Sequence, residues 1–224
     1  MRSQFSLLDG SPVSVDAPHA TLEAPIAVGV LFTDTMEVEV NAGTPEAAGL
    51  FLDITGTELT SSLQLRGGRT LRLGPLGGQR GEGWGYVVEV GDDRLFGPTP
   101  PALSAERLAA VLSELSPARN QRGLAVTPNG AVGWSPYRTQ GASQVLVPAS
   151  GNPLLLDIRR PVLDQRPGRR GAKVRGGLLS RQGDPGRQHV VLESDQFVTY
   201  GVPLPQTSLD ELAEVMSEVL VELR

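Results

Sequence analysis

A self-similarity with a period of 104 residues limits what this chain can fold into. Ala27-Val28-Gly29 recurs as Ala131-Val132-Gly133, Leu50-Phe51-Leu52-Asp53-Ile54 as Leu154-Leu155-Leu156-Asp157-Ile158, and Gly97 as Gly201. The stretch Ser104 to Leu115 recurs from Ser208 to Val219, with Ser104, Leu108, Ala109, Val111, Ser113 and Glu114 identical in the second copy. A period this long describes a duplicated domain, since solenoid units repeat every ~20–50 residues. The 224 residues therefore divide into two units, 1–116 and 117–224. Each is large enough to bury a core without covalent staples.

The chain has no cysteine, so disulfides and thiolate metal sites are excluded. Residues 1–10 carry one Arg and no apolar run, and no stretch approaches the ~18 apolar residues of a membrane span. A cytoplasmic protein that does not cross a membrane is the expectation. The 27 glycines and 18 prolines favour many short strands joined by turns.

The pattern along the first copy agrees. Short strands are expected at 12–15, 21–23, 26–32 and 36–40, where Met36-Glu37-Val38-Glu39-Val40 alternates as a half-buried strand does. An apolar run at 49–54 follows, then a hairpin of 62–66 and 70–73 around Gly67-Gly68, and strands at 86–90 and 94–96. Both copies close on a helix, at about 104–115 and 208–223. Ser104 and Ser208 are its caps, and apolar side chains recur at helical spacing behind them. Ser116 to Gln121 is polar and short and is read as the linker.

The expected class is α+β, mainly β: a tandem duplication of a ~105-residue antiparallel sandwich or barrel-like unit, each closed by one C-terminal amphipathic helix. This layout resembles the pleckstrin-homology-like superfold, a bent antiparallel sandwich with a C-terminal helix.

Few residues suggest chemistry. His19 and His189 are the only histidines and do not correspond under the repeat, and no acidic cluster shows ligand spacing, so no metal or other cofactor is expected. No Gly-x-Ser-x-Gly elbow occurs, and Lys173 is the sole lysine. The carboxylates recurring in both copies are Asp53 with Asp157 and Glu89 with Glu193, a recurrence expected of structural positions. The loop Gly77 to Gly85 precedes a strand, whereas a phosphate-cradling loop opens a helix. No catalytic residue is assigned, and an enzyme is not expected.

Charge is more informative. Inside a chain of net charge −5, Arg159, Arg160, Arg166, Arg169, Arg170, Lys173, Arg175, Arg181 and Arg187 face only Asp164 and Asp184 between residues 158 and 188. Like charges at this density repel unless a partner is present. Arg159, Arg160, Arg166, Arg169, Arg170, Lys173 and Arg175 are therefore the candidate contacts for an anionic partner: an acidic protein, a nucleic-acid backbone or an acidic lipid. No aromatic residue lies among them, which disfavours stacking on single strands. The expected function is a non-enzymatic interaction or scaffold protein with another protein as partner. The alternatives are a ligand site or active site at the seam between repeats, and a structural subunit of a larger assembly.

Overall fold

The structure, a computed structural model, describes residues 1–34, 36–78, 82–161, 171–184, 187–205 and 207–224. It is mainly β with three α-helices among these residues. The chain divides into two compact bodies: a continuous one of residues 26–138, and a composite one that joins residues 1–25 to residues 139–224. This division differs from the expected boundary between residues 116 and 117.

In chain order, the N-terminal segment holds β1 (Arg2–Ser6), β2 (Pro12–Asp16) and β3 (Ala20–Leu22). The continuous body follows with β4 (Ile26–Thr33), β5 (Met36–Gly43), α1 (Pro45–Thr55), β6 (Ser61–Gln64) and β7 (Thr70–Pro75). It ends with β8 (Trp84–Val90), β9 (Asp93–Pro98), α2 (Ala105–Ser113), β10 (Leu115–Asn120), β11 (Gly123–Pro128) and β12 (Gly133–Trp134). The composite body resumes with β13 (Gly141–Pro148), β14 (Leu154–Arg159), β15 (Ala172–Val174), β16 (Gly177–Gln182), β17 (His189–Glu193) and β18 (Val198–Pro203). It closes with α3 (Leu209–Glu218) and β19 (Leu220–Leu223).

Each body is built on an antiparallel sheet. In the continuous body the order is β4-β5-β9-β8-β7-β6, with β12 beside β4 and a separate β10-β11 hairpin. In the composite body the order is β13-β14-β18-β17-β16-β15, with β3 beside β13 and a separate sheet β1-β2-β19. The strand orders match element for element.

Local chemistry accounts for the helices. Ser104 and Ser208 accept the N–H groups of Arg107 and Glu211 three residues on, as caps do. Leu108, Leu112, Leu212 and Met216 form fully buried stripes. Helix α3 rests on β16, β17 and β18, over a core that includes Leu154, Leu156, Val190, Leu192 and Phe197. Both helices stop earlier than their periodicity suggests, and neither is the last element of its body. After Ser113 and Glu218 the chain returns to strand. Val219 and Val221 are β-branched and alternate inward, a pattern that suits a pleat better than a helical turn. The expected linker is thus β10, paired with β11 from Leu115↔Pro128 to Asn120↔Gly123. Its polar side chains point outward from a two-stranded hairpin.

The apolar run at 49–54 is a helix, α1. Thr44 caps it, Pro45 opens it and Gly56 ends it in the left-handed region at φ 59°. It covers Val87 and Phe96 on the continuous body's sheet, where Phe51 and Phe96 ring centroids lie 5.5 Å apart. The matching run Leu154 to Ile158 is instead β14, between β13 and β18. Without gaps, the 104 period therefore fits only the later elements. Glu89↔Arg94 corresponds in register to Glu193↔Val198, and Tyr86↔Gly97 to Val190↔Gly201. Earlier in the chain α1 intervenes, and Ala131-Val132-Gly133 reaches only the start of β12 rather than a full counterpart of β4.

Candidate functional site

The basic stretch of the composite body falls in the connection from β14 to β15 and in the β15–β16 hairpin. Four of its cations already have carboxylate partners. The Arg159 guanidinium lies 2.6 Å from Asp157. Arg160 donates to Asp9 at 2.6 Å and to the Ser11 hydroxyl at 2.8 Å. Arg175 donates to Asp16 at 2.6 Å and to the Glu218 carbonyl oxygen at 2.9 Å. Arg181 donates to Asp210 at 2.6 Å. Three of those partners, Asp9, Asp16 and Asp210, lie far away in sequence, so counting charge along the chain overstates the local positive potential.

The Arg160 pair is electrostatically settled. Burial raises the Asp9 carboxyl's affinity for a proton, but the Ser11 N–H and hydroxyl and the Arg160 guanidinium outweigh it and hold Asp9 below the usual carboxylate range. For Asp16, the hydrogen bond from Arg175 is the main cause of a similar lowering.

Arg175 has a structural counterpart. Its contact with the Glu218 carbonyl satisfies the exposed C-terminal end of α3. In the continuous body Arg69 plays the same part from the β6–β7 hairpin, donating to the Leu112 carbonyl at 3.5 Å and the Leu115 carbonyl at 2.7 Å at the end of α2. A cation against the last carbonyls of a helix also opposes its dipole. No repeat of residue identity announces this pairing, because the two hairpins differ in length; an Arg at each hairpin tip is the signal.

Of the remaining sequence candidates, Lys173 is exposed on β15, at the edge of the sheet, paired through its backbone with Leu178, and its side chain bonds to no described residue. Arg187 is exposed. Arg166, Arg169 and Arg170 lie outside the described residues. Beside Lys173 a hollow of about 460 Å³ is lined also by Arg175, Glu193, Ser194 and Asp195, so its walls carry both signs. Glu193 is 7% exposed, and its Oε1 has no partner among the described residues.

The recurring carboxylates differ in their surroundings within their own bodies. Asp53 is exposed on α1, and Asp157 is held by Arg159. Glu89 is exposed, 3.9 Å from Arg94. A hollow of about 560 Å³ in the continuous body is lined by Thr60, Ser61, Pro75, Trp84, Leu103 and Ser104 among others, and none of the described residues that line it is titratable. Trp84 serves structure there, its indole N–H donating to the Leu103 carbonyl at 2.9 Å. His189 begins β17 and packs on Tyr200, with ring centroids 5.8 Å apart. Among the described residues no group of three His, Asp or Glu side chains could hold a metal ion, and no helix is long and apolar enough to cross a membrane.

No family model matches the chain. No curated protein matches it either. Among solved structures it is similar to one described as the crystal structure of MucB in complex with MucA(peri), at 10% identity and a TM-score of 0.21, covering 90% of this chain and 94% of that one. A likeness at that score carries no argument about fold or function.

Proposed function

We propose that the chain is a non-enzymatic, cytoplasmic interaction protein, built by tandem duplication of a β-rich unit, that engages an acidic protein surface through Arg166, Arg169, Arg170 and Lys173. The observation that carries this reading is Lys173. It is exposed on an edge strand, its side chain bonds to no described residue, and it follows closely in sequence on the three arginines. The other basic residues of the β14–β16 region, Arg159, Arg160, Arg175 and Arg181, are neutralised within their own body and have structural work. Matching strand orders in the two bodies support the duplication, as does the shared register of β8–β9 with β17–β18. A protein partner fits better than a single-stranded nucleic acid because no aromatic side chain accompanies the cations.

The test is a variant with Arg166, Arg169, Arg170 and Lys173 all replaced by Ser, compared with the parent for retention on immobilised polyglutamate and on duplex DNA at low salt. The expected result is an unchanged far-ultraviolet spectrum with loss of polyglutamate retention. Equal retention of variant and parent would remove the site, and retention on DNA alone would replace the partner class.

A further inference from the structure

We infer that the two bodies are completed by reciprocal exchange: the opening segment of each repeat finishes the body whose sheet belongs to the other repeat. The inference rests on the duplication reading and goes beyond it.

The register of the strands carries the argument. Leu31 on β4 lies between Trp134 on β12 and Val38 on β5. Leu146 on β13 lies between Leu22 on β3 and Leu154 on β14. Both leucines are fully buried. They are the same position in two copies, and β3 therefore corresponds to β12. The strand that follows each helix gives the second match. In the continuous body β10 pairs with β11, Ser116 opposite Thr127. In the composite body β19 pairs with β2, Leu220 opposite Asp16. Since β10 and β19 follow corresponding helices, β2 corresponds to β11.

The origin of each partner is the decisive point. Strands β2 and β3 precede the first repeat's sheet in the chain, yet they pair with β19 and β13 of the second. Strands β11 and β12 precede the second repeat's sheet, yet they pair with β10 and β4 of the first. Element i of one copy meets j of the other, and j meets i, which is the self-complementary relation of an exchanged two-fold dimer. Here one polypeptide supplies both copies. Among the described residues, β1, α1 and the 3-10 turn Leu76–Gly78 stand outside the correspondence.

The donated segment is firmly seated. Gln144, 1% exposed, donates through Nε2 to the Ser3 hydroxyl at 3.1 Å and the Glu23 carbonyl at 2.6 Å. Phe5, Leu7, Val13 and Val15 enter the same core as Leu146, Ile158 and Val221. A body without residues 1–25 would expose this core and the edge of β19, so it would favour the equivalent segment of any second copy that offered one.

The test uses the whole chain, with a protease site in place of Gln121–Arg122, both exposed in the β10–β11 turn, and cleavage after purification. The fragments 1–121 and 122–224 are expected to elute together at the uncut mass and to part only in denaturant. Fragments that separate in native buffer as folded monomers would overturn the inference. The cysteine-free background permits a second measurement. Ser14→Cys with Glu222→Cys, and separately Ser116→Cys with Thr127→Cys, place thiols on directly opposed residues across β2–β19 and β10–β11. Each oxidised pair should join the two fragments into one band that reduction splits. Failure of the first pair alone overturns the exchange and leaves the duplication standing. Failure of both removes the strand pairing on which the duplication also rests.

Discussion

The carboxylate of Asp9 sits 2.6 Å from the guanidinium of Arg160, tying the N-terminal segment to the residue that follows β14 in the composite body. Asp9 also accepts the Ser11 N–H at 2.9 Å, so the pair fixes a turn as well as a charge. Because its folded-state affinity for protons is lowered from the ordinary 3.8, the stabilisation is complete above that value and is lost as pH falls through the folded-state pKa. Asp9→Asn should cost about 1 kcal/mol at neutral pH. The difference in Tm from the parent should shrink as the buffer is taken from about pH 6 to about pH 2. A constant difference across that range would mean the charge is not involved.

Arg175 joins Asp16 to the carbonyl end of α3. Arg175→Ala should therefore lower stability by roughly 1–2 kcal/mol, read by urea denaturation. It should leave polyglutamate retention near the parent's. Arg69→Ala should do the same at the end of α2, where it donates to the Leu112 and Leu115 carbonyls. Loss of retention with unchanged stability in Arg175→Ala would return that residue to the partner surface.

Gly201 is a close-approach position. A Cβ there would lie 2.9 Å from Met216 Cγ and Sδ and 3.0 Å from Leu212 Cδ1. Gly201→Ala must push α3 outward or force its side chains off their rotamers, at a cost of about 1–3 kcal/mol. Its counterpart Gly97 meets backbone instead, the Glu39 carbonyl oxygen at 2.7 Å. Gly97→Ala should be the more damaging of the two, because the Met216 chain can bend and the Glu39 carbonyl is fixed in β5. Equal midpoints in denaturant would contradict that ordering.

Helix α1 supplies an internal contrast. Phe96 is 3% exposed beneath it, and Ile54 on its outer side is 76% exposed. Phe96→Ala should cost about 3–5 kcal/mol, whereas Ile54→Ser should stay within about 0.5 kcal/mol of the parent. Thermal unfolding of the two variants distinguishes them.

Tyr86 is wholly buried and donates its hydroxyl to the Glu39 carbonyl oxygen at 2.7 Å. Burial, with the nearby Glu39 charge, holds the phenol far above its ordinary range, so it stays a donor at any working pH. Tyr86→Phe leaves the carbonyl unpaired and should lower stability by about 1–2 kcal/mol. The change in Tm should be the same from pH 6 to about pH 9, since Tyr86 does not titrate there.

What could be read directly from residue order was local. The Ser104 and Ser208 caps with their apolar stripes announce α2 and α3, and the Gly67-Gly68 turn announces the β6–β7 hairpin, because caps and turns are settled within a few residues. Thr44 with Pro45 before α1 and Gly56 after it are equally local signals. Leu50 to Ile54 and Leu154 to Ile158 are nearly the same string, yet one is helix and the other strand; a five-residue apolar run satisfies either periodicity, and flanking chain and packing decide. Tertiary structure alone determined which strands close which body, since β2 meets β19 across some two hundred residues of chain. It also decided which arginines are held by carboxylates of their own body. Asp9, Asp16 and Asp210 neutralise theirs only once folding brings distant carboxylates within hydrogen-bonding distance, and a charge count along the sequence has no access to that proximity.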